Sequence, residues 1–281
     1  MQPTLWDDSG DILNEWAAWQ NAQGLSQRTI AERLGTVRAL FTATNTNAYT
    51  LNARSIVRYC ARPDLTASSK ASYHASIRAF TTWMKRARIR TDDPADDTPR
   101  PKRPRSRPRP LSVAQVEAIY RAANRHRTRV YIALGVLAGL RVHEIAKFHT
   151  RDIDTEIGTL IITGKGGATE IIPLHPDLAD LARHMPTTGY WFPPYIGSND
   201  HVTRAAVYGA IKGAMRRADI EATPHQLRHT YGTELLRRGA NTRTVQKLMR
   251  HAHLASTQIY TDPDWNDEQA AIHTLRLTPG R

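Results

Sequence analysis

The sequence predicts a mainly α protein with a small β-sheet, built as two helical regions joined by a basic, proline-rich connector. Apolar residues recur at three- and four-residue spacing through most of the 281 residues, which is the period of one helix face. One stretch, TLIITGKGGATEIIPL, alternates about a Gly-Lys-Gly-Gly break, as a β-hairpin does. The run PRPKRPRSRPRP at residues 99–110 holds five prolines, six basic residues and no acid, which suits neither helix nor sheet and reads as an extended linker. The expected organisation is a helical domain over residues 1–93, a linker over 94–110 and a second domain over 111–281.

In the first domain, Ile12, Leu13, Trp16 and Trp19 form one apolar face, and Ile30, Leu34, Val37, Leu40 and Phe41 a second, with Ser26 and Thr29 as start signals. Residues 55–59 make a short third element. Residues 67–88 put Tyr73, Ile77, Phe80, Trp83 and Met84 on one side and most of the basic residues elsewhere. Aromatics at that spacing are core, whereas Lys70 and Arg78 fit either a solvated face or phosphate contacts. In the second domain, Ser112 starts a helix through Asn124. Residues 129–148 read as one nearly continuous helix, and residues 177–184 and 203–218 as two more. The end of the chain suggests a final short helix at about 266–277.

Composition narrows the function. A formal charge of +13 favours a polyanionic partner and says nothing of fold. Cys60 is the only cysteine, which excludes an internal disulfide framework and cysteine-rich zinc sites. The acidic start MQPTLWDDSGD has no apolar signal segment, and VYIALGVLAGL is too short to span a bilayer. A cytoplasmic protein with no membrane partner is expected.

The chemistry concentrates in residues 225–260. Leu227, Tyr231, Leu235 and Leu236 recur at helical spacing, placing His225, Arg228 and Gly232 on one flank, and Gly239 and Asn241 end that helix. Arginine contacts phosphate oxygens bidentately, histidine donates to an oxygen or moves a proton, and tyrosine is a nucleophile. Taken alone, a His-x-x-Arg pair is more often structural. His225 and His229 also stand at i, i+4 as in a zinc-protease helix, but Gln226 occupies the place of the required glutamate, and no metal is expected.

Taken whole, HQLRHTYGTELLRRG followed by LMRHAHLASTQIYT resembles the signature of the tyrosine recombinases, the phage integrase family. His225, Arg228, His251 and Tyr260 fall on its His-x-x-Arg, His and Tyr positions, with Tyr260 nine residues after His251. Arg250 departs from the pattern, standing where the family has glycine. GLRVHE matches the first-arginine motif at Arg141, with Glu144 in the place of that arginine's acidic partner, and Lys165 occupies the hairpin lysine position.

The resemblance implies a helical (SAM-like) core-binding domain and a mixed α/β catalytic domain, forming a C-shaped clamp on double-stranded DNA core sites. On this resemblance no extra domain for arm-type sites is expected, and the linker is expected to cross the duplex through Arg103, Arg105 and Arg107. The resemblance also implies that Tyr260 attacks the scissile phosphate to give a 3′-phosphotyrosine, while Arg141 and Arg228 stabilise the phosphate charge. Lys165 is then the general acid, His225 assists proton transfer and His251 bonds the phosphate, with no cofactor. A free monomer or weak oligomer would assemble as a homotetramer on DNA, pass through a Holliday junction and exchange its last helix with a neighbour. The setting implied is a phage or mobile-element integrase at the nucleoid of a bacterial host, with room for an accessory directionality factor. A DNA-relaxing type IB topoisomerase and a catalytically inactive DNA-binding protein are the alternatives.

Overall fold

A computed structural model describes residues 7–102, 110–164, 169–250 and 265–276. Helix starts are set by short polar side chains. Ser26, Asn52, Thr66, Ser112, Thr203 and Asn241 each accept a hydrogen bond from a backbone N–H in the first turn, satisfying donors that the helix itself cannot. The chain divides into two compact units, Met1–Ser106 and Arg107–Arg281.

The first unit holds four helices, α1 (Asp7–Ala22), α2 (Gln27–Thr44), α3 (Ala53–Cys60) and α4 (Ala67–Arg86). The predicted stripes face inward. Trp16, Val37, Leu40, Ile77 and Phe80 are fully buried, and Trp16 meets Phe80 edge-on with ring centroids 5.0 Å apart. Cys60 is buried in this core. The connector begins later than its composition suggests. Ala95 is buried in the same core, Asp93 accepts from the Thr82 hydroxyl, and Thr98 bonds the ring of His74. Residues 94–98 therefore pack on α4, because small and polar groups there find partners that the basic run after them does not.

The second unit holds α5 (Val113–Ala122), α6 (His126–Leu137), α7 (Val142–Ala146), α8 (Pro176–Ala182), α9 (Arg204–Arg217), α10 (His225–Arg237), α11 (Thr242–Leu248) and α12 (Trp265–His273). It also holds an antiparallel sheet in the order β1-β2-β3, from Ile153–Asp154, Thr159–Thr163 and Thr169–Pro173. The hairpin is β2–β3, with Leu160 opposite Ile172; β1 is a short addition that the sequence pattern did not suggest. α6 lies in the middle of the core, buried from Val130 to Leu137, so its sequence shows no polar face.

The expected continuous helix over 129–148 is instead two, α6 and α7, broken at Gly139. That residue has φ +60, and a Cβ there would fall 2.5 Å from a ring carbon of Tyr231. Only glycine permits both the left-handed turn and the approach of that ring. α5 stops at Ala122, two residues short of the expected end, and Leu236 on α10 is exposed. Asn241 starts α11 as its N-cap, and does not end α10.

α12 packs on its own chain. Ala271, Ile272 and Leu275 join the core, the Leu275 carbonyl bonds His175, and Glu268 pairs with Lys247 of α11 at 2.6 Å. The exchange implied for this helix is therefore not its arrangement in the single chain. Among the described residues, no helix is long and apolar enough to cross a membrane.

Candidate active site

The ends of helices bring four of the predicted residues together: Arg141, Glu144, His225 and Arg228. The turn at Gly139 ends α6 and places Arg141 in extended conformation, φ −75 and ψ 152, as the N-cap of α7. Glu144, three residues on, folds back over that turn. Its Oε2 accepts from the Arg141 backbone N–H at 2.7 Å and its Oε1 from Arg141 Nη1 at 2.8 Å. The predicted Arg–Glu pairing is thus present, and it doubles as half of a helix cap. Glu144 is buried while the Arg141 side chain stays one-third exposed, so the arginine of the pair is the member that faces out.

Arg228 is the opposite case. It sits one turn into α10 and is 2% exposed. Its Nη1 donates to the Gly139 carbonyl and its Nη2 to the Met249 carbonyl. Burial first, then repulsion from Arg250 and Arg141, lowers its pKa to about 10; it remains charged at neutral pH.

His225 is the first residue of α10 and is solvent-exposed, its ring edge-on to His229 at 4.5 Å. The protein around it, then His229, Arg228 and Arg141, lower its pKa below the ordinary histidine value. It is neutral at pH 7 and able to accept a proton.

Arg250 was noted in the sequence only as a departure from glycine. It adopts φ +49 and turns its guanidinium inward, where Nη2 donates to Glu144 Oε2 at 2.8 Å and to the Gly139 carbonyl at 3.3 Å. Its own carbonyl lies 3.5 Å from Arg141 Nη2. A charged residue on a glycine position was the available signal. Burial would raise the Glu144 pKa, but the charge of Arg250 and the hydrogen bonds from Arg141 outweigh it and hold the carboxyl below its usual range. Two guanidinium groups therefore bond one carboxylate and a third, that of Arg228, feels its charge, a net positive site that suits an anion.

Lys165, His251 and Tyr260 lie outside the described residues, as do Arg103, Arg105 and Arg107. Lys70 and Arg78 are half-buried on α4, and Arg78 pairs with Asp96 at 3.1 Å. Among the other tyrosines, Tyr231 is fully buried, with its pKa raised by that burial. Tyr190 stands between His149 and His201, with ring centroids 5.1 and 5.2 Å away. It shares with Glu144 the wall of a cavity of about 470 Å³ that His143, Lys147 and Arg151 also line.

Comparison with known proteins places the chain in a family. The model of the phage integrase family matches residues 109–266. The chain is 29% identical to the tyrosine recombinase XerA of Pyrococcus horikoshii over 277 residues, 96% of this chain and 95% of that protein. Among solved structures, the integrase of mycobacterium phage Brujita is 37% identical, with a TM-score of 0.57 over 96% of this chain and 94% of its own. A lambda integrase tetramer bound to a Holliday junction shares the fold, with a TM-score of 0.72 at 17% identity over 89% of this chain and 76% of that one. Paired with the Arg141–Glu144 turn and the buried Arg228, a family match over more than half of the chain leaves one conclusion: the chain belongs to the phage integrase family, the tyrosine-type site-specific DNA recombinases.

Proposed function

We propose that this recombinase cleaves and rejoins double-stranded DNA core sites through a 3′-phosphotyrosine on Tyr260, and that it serves a phage or other mobile element as its integrase. The convergence of Arg141, Arg228 and His225 on one positive site carries the reading. In that reaction Tyr260 attacks the scissile phosphorus, the bond to the 5′-oxygen breaks, and the 5′-hydroxyl leaves with a proton supplied by Lys165. Negative charge builds on the non-bridging oxygens as the phosphorus becomes five-coordinate. Fixed guanidinium groups stabilise that charge more than the ground state. Arg141, with its exposed side chain, meets the phosphate, and Arg228, held by two backbone carbonyls, supplies a rigid field behind it. Neutral His225 takes a proton near the nucleophile, and His251 bonds the phosphate. The phosphotyrosine conserves the energy of the broken bond, so strand exchange needs no nucleotide.

Four copies on two core sites would exchange strands through a Holliday junction, with Arg103, Arg105, Arg107, Lys70 and Arg78 contacting phosphates outside the active site. The 37% identity to a phage integrase over nearly the full length of both chains favours integration over chromosome-dimer resolution.

The test is a library of randomised duplexes, each bearing one nick that lets the cleaved fragment diffuse away and traps the intermediate. Denaturant-stable complexes would be recovered and sequenced for the wild type, Tyr260→Phe and Tyr190→Phe. We expect adducts with the wild type and Tyr190→Phe and none with Tyr260→Phe. Adducts persisting in Tyr260→Phe and lost in Tyr190→Phe would move the nucleophile to Tyr190. No adduct with any protein, binding being intact, would make the chain a DNA-binding protein without cleavage activity.

A further inference from the structure

The cavity that Glu144 shares with Tyr190 adjoins the candidate active site. Leu140, one residue before Arg141, and Gly164, one before Lys165, stand on its wall. Its volume of about 470 Å³ is that of a ligand site. Given the placement of Arg141 and Lys165 at the scissile phosphate, on which this inference rests, the cavity begins beside that phosphate.

Away from Arg141 the wall is cationic. α7 ends at Ala146 with Lys147 as its C-cap, and a single 3-10 turn, Thr150–Asp152, follows. His149 caps that turn: its Nδ1 accepts from the Arg151 N–H at 3.2 Å, and its own N–H donates to Asp152 Oδ2 at 2.9 Å. The cap fixes the backbone of Arg151 four residues after Lys147, and both residues line the cavity. Both are exposed, and neither forms a salt bridge among the described residues. The two acids on the wall are already engaged, Glu144 by Arg141 and Arg250, and Asp152 by the His149 N–H. Burial lowers the pKa of His143 on the same wall; Glu144 opposes that, but Arg141, Arg204 and Lys147 lower it further. Protonation is thus disfavoured there by positive neighbours, and the same potential favours an anion.

We propose that this cavity seats a DNA phosphate neighbouring the scissile one, held by Lys147 and Arg151. Arg151 engages the non-bridging oxygens with its planar fork and Lys147 with a point charge. Such a contact reads no bases; it sets the register of the duplex against Arg141.

The experiment uses full-length proteins carrying Tyr260→Phe and a nicked duplex recovered as adduct with the wild type, titrated over a series of salt concentrations. Replacing both cations, Lys147→Gln with Arg151→Gln, should weaken binding about tenfold, as loss of a hydrogen bond to a charged group does. It should also make the slope of log affinity against log salt shallower by about 0.9, the share of one phosphate. Lys147→Arg with Arg151→Lys should restore both. Arg183→Gln, which removes an exposed cation of the same unit outside the cavity, should change neither. An unchanged slope in the double glutamine variant, or an equal change in Arg183→Gln, overturns the proposal. Phosphates of the duplex are then replaced one at a time by neutral methylphosphonate. The double glutamine variant should lose sensitivity at one phosphate, adjacent to the bond that the wild type cleaves; a remote position overturns the proposal. So does inorganic phosphate that raises the thermal midpoint of the DNA-free protein with Lys147 and Arg151 intact, and not of the double glutamine variant, while both bind the duplex alike, since the cavity then takes a free anion. Absence of any wild-type adduct overturns instead the reading on which this rests. The salt slope on an unselected nicked duplex then decides for the two cations alone: a shallower slope supports a phosphate seat and an unchanged one overturns it.

Discussion

Trp16 and Arg228 are each almost wholly buried, one in each unit, and they need opposite surroundings. Trp16 sits among Phe80, Trp83 and Leu40, where the gain is the apolar area removed from water and the edge-to-face contact with Phe80. Arg228 sits among Gly139, Met249 and Arg250, where its charge is tolerated because carbonyl oxygens replace the water it lost. Among the described residues, the first unit buries one acid, Asp93, held by Thr82 and the Ala95 N–H. The second buries Glu117, Glu144, Arg228, Arg250 and Glu268. A hydrophobic side chain inside needs no further reason, whereas a charge inside costs several kcal/mol unless paired. Buried charge thus separates the unit that carries out chemistry from the unit that holds its shape.

That contrast can be broken most directly at Trp16. Trp16→Ala should cost about 3–5 kcal/mol, seen as a lowered midpoint in urea unfolding of the full chain. A loss under about 1 kcal/mol would mean that the aromatic cluster is not what holds the first unit.

A smaller stability effect, with a larger effect on function, belongs to Gly139→Ala. The added methyl meets the Tyr231 ring on a left-handed backbone, costing about 2–4 kcal/mol. Moving the Gly139 carbonyl also disturbs Arg228 and Arg250 together, so adduct formation should fall more than thermal stability does. Equal losses in the two measurements would show that the carbonyl has no special part.

The smallest effect is that of pH. The His225 pKa is lowered in the folded state, so its contribution to stability is full above an unfolded value of about 6.5 and is lost as pH falls through the lower folded value. The thermal midpoint of the wild type should fall below pH 6 more than that of His225→Gln. Using the difference removes His74, His143, His175 and His229, whose values are also lowered. Parallel curves would show that neither burial nor the neighbouring charges depress His225.

Much of this was legible in the sequence. The stripes around Trp16 and Leu40, the cap at Ser112 and the hairpin follow from spacing and turn chemistry, which are local. Arg141, Glu144, His225 and Arg228 were identified as site residues because a motif fixes them. What could not be read were contacts made across the chain. In LAGLR the one local hint of a helix break is Gly139, and what makes glycine necessary there is Tyr231, some ninety residues away. The inward turn of Arg250 depends likewise on Glu144. Residues 94–98 misled because a proline and two acids look like linker until His74 bonds Thr98 and Arg78 bonds Asp96.

The docking of α12 has a practical corollary. Its core residues are the last apolar groups of the described chain, and it rests on β3 and α11. β3 follows Lys165 by four residues and α11 ends three before His251, while α12 itself begins five after Tyr260. One short helix thus braces the anchors of the three segments that hold Lys165, His251 and Tyr260. A deletion from residue 267 onward would remove Glu268 from Lys247 and the Leu275 carbonyl from His175, so lost recombination in such a protein would report lost bracing as readily as lost assembly. Affinity handles and fluorescent fusions belong at the opposite end of the chain.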